Sequence, residues 1–218
     1  MGKITVKHYV NEKLKPRIIG LDRYYPLYIQ VTFNRKNYNF KSNISEKEGY
    51  LNEIGFILGE LNTQIDSEIK LIERTIEYYE QGKFKILNSK SIKLLSRSLL
   101  DIWEDLIIEL FFEESKKLPK YFDREYVKAS HIVELNDFVF EMKGKDLISD
   151  YSKDLKVLYY GLYDGYLSQG TIYNYGIITG SVADLLYNID RQNEINEGLG
   201  KFNENLYKVL KERIEGKF

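Results

Sequence analysis

His8 and His131 are the only histidines of this 218-residue chain, and cysteine is absent. A thiolate nucleophile, a disulfide framework and a thiolate metal site are therefore excluded, and a histidine-rich metal site is out of reach. The carboxylate pairs Glu104-Asp105 and Glu113-Glu114 are adjacent in sequence, and adjacent residues on a helix do not face each other. They read as solvated helix surface rather than as an acid–base couple. Gly176-Ile-Ile-Thr-Gly180-Ser181 lacks the lysine with which a P-loop reaches phosphate, and the glycines from Gly161 to Gly170 follow no clear strand, as a dinucleotide fingerprint requires. No cofactor is implied. Tyr159, Tyr160, Tyr163, Tyr166, Tyr173 and Tyr175 gather with Gly161, Gly165, Gly170, Gly176 and Gly180. Such a segment suits a stacking platform for bases or a close-packed protein interface. It equally suits helices drawn together at small residues with aromatics in the gaps, which explains the composition without a ligand.

The elements that would position a site begin with charge. Apolar residues at 43% and charged residues at 30% describe a globular chain rather than a disordered one. No apolar run approaches the roughly 20 residues of a membrane span. The opening Met1-Gly-Lys-Ile-Thr5 lacks the apolar stretch of a signal peptide. A soluble protein that works or assembles inside a cell is expected, without a membrane partner. The net charge of −1 conceals an asymmetry: residues 1–45 hold nine basic side chains against two acidic, whereas the remainder holds 23 against 31. A basic segment of this kind points to an anionic partner; the plainer alternative is a basic head docked on its own acidic body.

The same segment alternates with period two. Ile4, Val6, His8 and Val10 share one face against Thr5, Lys7 and Tyr9. Leu27, Ile29, Val31 and Phe33 oppose Tyr28, Gln30, Thr32 and Asn34, and after a turn at 34–37 Tyr38 and Phe40 oppose Asn37, Asn39 and Lys41. Alternation with β-branched and aromatic residues predicts half-buried strands, and the short polar turn predicts a hairpin. The expectation is a three-stranded antiparallel sheet with one apolar face. A sheet this small needs cover on its apolar face, and the segment that follows is the natural candidate. Ser45-Glu46-Lys47-Glu48 has the form of a capping box. Leu51, Ile54, Leu58, Leu61, Ile65, Ile69, Ile72, Ile76 and Tyr79 then recur at steps of three and four, a near-heptad stripe on one long helix that ends at Gly82, with a break near Asn62-Thr63 as an alternative. A narrow stripe of this kind predicts a seam against a partner helix, from residues 89–118 or from another subunit, with Leu58, Ile65, Ile69, Ile72 and Ile76 at its centre.

Residues 89–118 read as a second helix, buried on two sides. Residues 120–145 fit either a short strand pair about Asn136-Asp137 or one short helix. Helices are expected from Asp146 to about Leu167, at about 181–192 and at about 199–215. The fold class is thus α+β: an N-terminal sheet domain at 1–45, then a mainly helical body at 46–218 with a long helix at 46–81, a helix at 89–118 and C-terminal helices within 146–218.

Lys3-Ile-Thr-Val-Lys-His-Tyr-Val10, Lys13-Leu-Lys-Pro16, Tyr25-Pro-Leu-Tyr-Ile-Gln-Val-Thr-Phe-Asn-Arg-Lys-Asn37 and Phe40-Lys-Ser42 resemble the N-terminal arm-type DNA-binding domain of Bacteroidetes-type tyrosine recombinases, the integrases of conjugative transposons and phages. The resemblance covers about 45 residues and implies a three-stranded sheet, with a helix on one face, that enters the major groove of double-stranded DNA. Carried onto this chain, it places Lys7, Tyr9, Gln30, Thr32, Asn34, Asn39 and Lys41 on the DNA-facing side, with Arg35 and Lys36 at the turn meeting phosphates or a guanine edge. The rest of the chain departs from the family. A tyrosine recombinase needs an arginine pair, a lysine, histidines and a nucleophilic tyrosine. Here His131 is followed by Ile132-Val133-Glu134, and no arginine lies between Arg124 and Arg191.

The chain is therefore expected to be a non-enzymatic DNA-binding accessory protein of a phage or mobile element. Its helical body would bind other protein subunits or a second copy of itself, in the cytoplasm of a bacterial host or in a virion. The alternative is a phage virion structural protein, a capsid, portal or neck component, that reuses the arm-like fold as a docking module.

Overall fold

The alternating segments form strands β1 (Thr5–Val10), β4 (Leu27–Phe33) and β5 (Lys36–Lys41), which pair antiparallel in the order β1-β4-β5. Between β1 and β4, where no strand was expected, a two-stranded ribbon joins β2 (Arg17–Ile19) to β3 (Asp22–Tyr24). The computed structural model describes residues 2–19, 21–44, 61–115, 127–144, 146–167, 180–198 and 203–217. Eight α-helices lie among the described residues: α1 (Asn62–Glu80), α2 (Ser89–Leu95), α3 (Leu99–Glu114), α4 (Ala129–Lys143), α5 (Lys153–Leu167), α6 (Val182–Tyr187), α7 (Ile189–Gly198) and α8 (Asn203–Glu215). The fold is α+β, with the sheet at the N-terminus and helices after it. Two compact units result: 1–97 with 181–183, and 98–180 with 184–218.

In the first unit the period-two pattern is realised without slippage. Leu27, Ile29, Val31 and Phe33 of β4 are essentially inaccessible to solvent, while Tyr28, Gln30 and Thr32 between them are half-buried. Ile29, Val31, Phe33 and Phe40 pack with Ile72 and Ile76 of α1 and Ile92 of α2. Each such side chain taken from water stabilises the unit by roughly 1.5–3 kcal/mol. The apolar stripe of α1 thus covers the sheet and also meets α2, whose Ile92 packs in the same cluster. The expected partner within residues 89–118 is met by α2, and the sheet shares the stripe because its broad apolar face is one that a single helix stripe matches. It follows that the unit runs to Arg97 rather than ending near residue 45. The capping box at Ser45–Glu48 and the stripe residues Leu51, Ile54 and Leu58 fall outside the described residues. The helical end is as expected: Gly82 takes φ +72°, its N–H donates to the Tyr79 carbonyl at 2.9 Å and that of Lys83 to the Tyr78 carbonyl at 3.0 Å. This is the Schellman closure that glycine permits.

The helix expected over 89–118 is two helices. α2 opens on a reciprocal capping box between Asn88 and Ser91 and stops at Leu95. At Ser96-Arg97-Ser98 the backbone groups are diverted: the Arg97 carbonyl accepts from the Val182 N–H at 3.0 Å, and the Leu99 N–H donates to the Gly180 carbonyl at 2.9 Å. Serines compete poorly for helix and favour caps, so the apolar pattern runs through a point where the chain passes from one unit to the other.

The second unit is helical. Trp103 of α3 is fully buried and its indole N–H donates to the Leu158 carbonyl of α5 at 3.0 Å. A Cβ at Gly161 would lie 2.7 Å from Leu206 Cδ2 and 3.1 Å from Trp103 Cζ2, so the absence of a side chain there lets three helices approach. This is the packing role for a glycine of the Tyr/Gly segment; residues 168–179 of that segment lie outside those described. Residues 129–143 settle the open alternative as a helix, closed by Gly144 at φ +60°. The Asn136 side-chain carbonyl accepts from the Leu147 N–H at 2.8 Å, which holds a short 3-10 turn (Leu147–Asp150) against α4. That turn delays α5 to Lys153, later than the expected start at Asp146.

Candidate nucleic-acid interface

Strand register puts the expected contact residues into rows. Thr5, Thr32 and Asn37 form one cross-strand row, Lys7, Gln30 and Asn39 the next, and Tyr9, Tyr28 and Lys41 the third. All three rows project from the face opposite α1, because their neighbours in sequence fill the core. Lys7 and Asn39 are exposed, while Tyr9, Gln30, Thr32 and Lys41 are half-buried by one another. The Thr32 hydroxyl donates to the Asn37 side-chain carbonyl at 2.8 Å, and the Tyr9 and Tyr28 rings lie 6.2 Å apart, tilted by 44°. The face is therefore partly pre-ordered by its own side chains.

Asn34 and Arg35 connect β4 to β5 and both have positive φ, 47° and 61°. Phe33 pairs with Lys36, so the loop has two residues, and two positive φ values mark a type I′ turn. Asparagine tolerates this conformation; the second position normally belongs to glycine. Arg35 holds it instead, with its side chain exposed beside Lys36. Arg35→Gly is expected to raise the stability of this unit by about 1 kcal/mol, since a left-handed conformation costs an L-residue roughly that much. The check is a urea titration; an unchanged or lower midpoint would show that Arg35 makes a compensating contact.

Among the described residues no carboxylate pairs with Lys7, Arg35 or Lys36, as none does with Lys143, Lys153 or Lys211 of the helical unit, whereas Arg191, Lys208, Arg213 and Lys217 meet Glu194, Glu212, Asp154 and Glu109. The expected sites therefore come together as one face and its tip.

The expected partner seam lies within the chain. Ile72 and Ile76 are fully buried under the sheet, Ile65 packs beside Leu27, Ile44 and Leu61, Ile69 is half-buried, and Leu58 lies outside the described residues. The sheet and α2 between them cover the stripe.

Two arrangements were not foreseen. One is the β2–β3 ribbon, whose strands of three residues are too short for periodicity to show. The other is a buried polar cluster at the sheet–helix junction. Glu68 Oε2 accepts from the Ser42 hydroxyl at 2.6 Å and lies 2.8 Å from His8 Nε2, while Oε1 accepts from the Asn43 N–H at 2.8 Å. Glu68 is 5% exposed and His8 8%. Serine bonds the carboxylate rather than the imidazole, so this is no nucleophilic triad; it ties β1, the end of β5 and α1 together. Its signal was available, since Glu68 follows Ile65 by three and precedes Ile72 by four, on the buried stripe, and His8 stands on the apolar face of β1. His131 sits apart on α4, where its Nδ1 accepts from the Lys128 N–H at 3.2 Å. Among the described residues no group of three or more His, Asp or Glu side chains is placed to hold a metal, and no helix is long and apolar enough to cross a membrane. Comparison with protein-family models, with curated proteins and with solved structures returns no match.

Proposed function

We propose that the chain is a non-catalytic DNA-binding accessory protein of a phage or mobile element, with the outer face of the β1-β4-β5 sheet laid in the major groove and the helical unit serving other protein subunits. The observation that carries this reading is the set of exposed cations on the outer face and its turn: Lys7 within the rows, Arg35 in the two-residue turn and Lys36 beside it, with no carboxylate partner among the described residues. A sheet face of this width suits the major groove, where Gln30, Asn39 and Thr32 have donors and acceptors to offer base edges. Lys7, Arg35 and Lys36 suit phosphates, which supply affinity without sequence information.

The surroundings of Tyr160 support the non-catalytic half of the reading. Its phenol is pushed up to about 12 by burial and by the Asp146 carboxylate, which accepts a hydrogen bond from its hydroxyl. A phenol that attacks phosphate needs the opposite environment, with cations nearby and an adjacent base.

The test is duplex binding by the full chain over a salt series. Each neutralised phosphate adds about −0.9 to the slope of log affinity against log salt. Arg35→Ala with Lys36→Ala is expected to lower the magnitude of that slope by up to about two units, uniformly across sequences. Absence of binding at low salt, or binding indifferent to salt, would favour the virion structural component instead.

A further inference from the structure

The β2–β3 ribbon has no part in the major-groove reading, yet its composition is unusual for a solvent-exposed hairpin. Leu21 at its end is 102% exposed, Ile18 is 68% exposed and Leu14, on the approach, 41%. Lys13, Lys15, Arg17 and Arg23 lie in the same stretch, against Glu12 and Asp22; all four are exposed and none is paired with a carboxylate among the described residues. The base of the ribbon is fixed, because the Asn11 N–H donates to the Pro26 carbonyl at 3.0 Å where β1 ends and β4 begins. It therefore leaves the sheet at the end opposite the Asn34-Arg35 turn. The seven residues of β4 separate the two ends by roughly 20 Å at about 3.3 Å each. A duplex alternates a roughly 12 Å major groove with a roughly 6 Å minor groove, so a ribbon at that distance meets the next minor groove when the sheet occupies the major one.

Resting on the DNA-binding reading above, we propose that the β2–β3 ribbon enters the adjacent minor groove and that Leu21 wedges between two base pairs, so that the chain bends the duplex it binds. An aliphatic side chain inserted at a base step unstacks it and kinks the duplex, and basic neighbours hold the flanking phosphates. Arg17 and Arg23 are placed for that second task, one on each strand of the ribbon. An anionic membrane is the other surface with matching charge. It is the poorer fit, because a few aliphatic side chains offer less apolar surface than one acyl chain, which by itself binds membranes only marginally.

The experiment is energy transfer between dyes at the two ends of a short duplex, on binding of the full-length wild type and of Leu21→Ala. A 2-aminopurine placed along the duplex reports unstacking in parallel. Leu21 is fully exposed, so the variant should fold as the parent does, which circular dichroism checks. The wild type should raise transfer and 2-aminopurine emission. Leu21→Ala should bind within about threefold of the wild type while losing at least half of both signals. Binding with no rise in transfer, or a Leu21→Ala protein that bends as the parent does, overturns the wedge and leaves the major-groove reading standing. Absence of duplex binding overturns both. Leu21-dependent sedimentation with phosphatidylglycerol vesicles, without bending of DNA, overturns the wedge in favour of a membrane surface.

Discussion

Ile72→Asp is expected to cost the sheet-bearing unit about 5 kcal/mol or more without changing the number of subunits. Ile72 is wholly inaccessible and packs with Ile29, Val31, Phe33, Phe40, Ile76 and Ile92. Removing the aliphatic side chain alone costs roughly 2–5 kcal/mol, as for other large-to-small core changes. The carboxylate adds a further cost of several kcal/mol, because none of those neighbours can hydrogen-bond it and it must be buried unpaired or protonated. Domains are stable by about 5–15 kcal/mol, so this unit is expected to be largely unfolded. Far-ultraviolet circular dichroism should show lost strand and helix signal, and light scattering an unchanged subunit count. A folded variant with fewer subunits would mean that Ile72 serves an intermolecular contact instead.

Glu68→Ala is expected to lower stability by about 2–4 kcal/mol, because it removes the shared acceptor of a buried hydrogen-bonded cluster. The carboxylate accepts from the Ser42 hydroxyl and the Asn43 N–H and is bonded by His8 Nε2. Alanine leaves each of these groups without its partner in a site closed to water, and an unsatisfied buried donor costs roughly 1–3 kcal/mol. Glu68→Gln retains an oxygen for the Asn43 amide and offers an N–H to Ser42, so its loss should be about half as large. Urea denaturation would rank the wild type above Gln and Gln above Ala, with unchanged denaturant dependence. Equal midpoints for all three would show that the cluster contributes nothing net.

The fold was most legible where pattern and burial coincide. β4 alternates over seven residues, and its core-facing set is the one its sequence names. The Asn34–Asn37 turn was legible as a turn, though not as a type I′ turn with arginine in a left-handed conformation, because that position ordinarily requires glycine. The stripe from Leu61 to Tyr79 was legible as a helix face, and α2 within the expected 89–118 does meet it; that the sheet and α2 share it was not legible, because a period of three and four says which side is apolar and not how its covers divide it. The 89–118 pattern concealed the break at Ser96-Arg97-Ser98, since apolar spacing continues on both sides and only the backbone bonds to Gly180 and Val182 reveal the interruption. The outer face of the sheet was readable residue by residue. That Lys7, Arg35 and Lys36 lack carboxylate partners among the described residues was not, because pairing depends on elements distant in sequence.

Trp103 is the only tryptophan, and it lies in the helical unit, sealed from water with its indole N–H bonded to Leu158. Indole emission excited at the red edge of protein absorption therefore comes from one unit alone, while eight of the nineteen tyrosines lie in residues 1–97. The chain thus contains its own two-channel optical probe: a single sample yields one unfolding curve from the indole and another from the amide signal of the whole chain. Coincidence of the two curves would mean one cooperative transition, and separation would give the free energy of each unit without cutting the chain or attaching a dye.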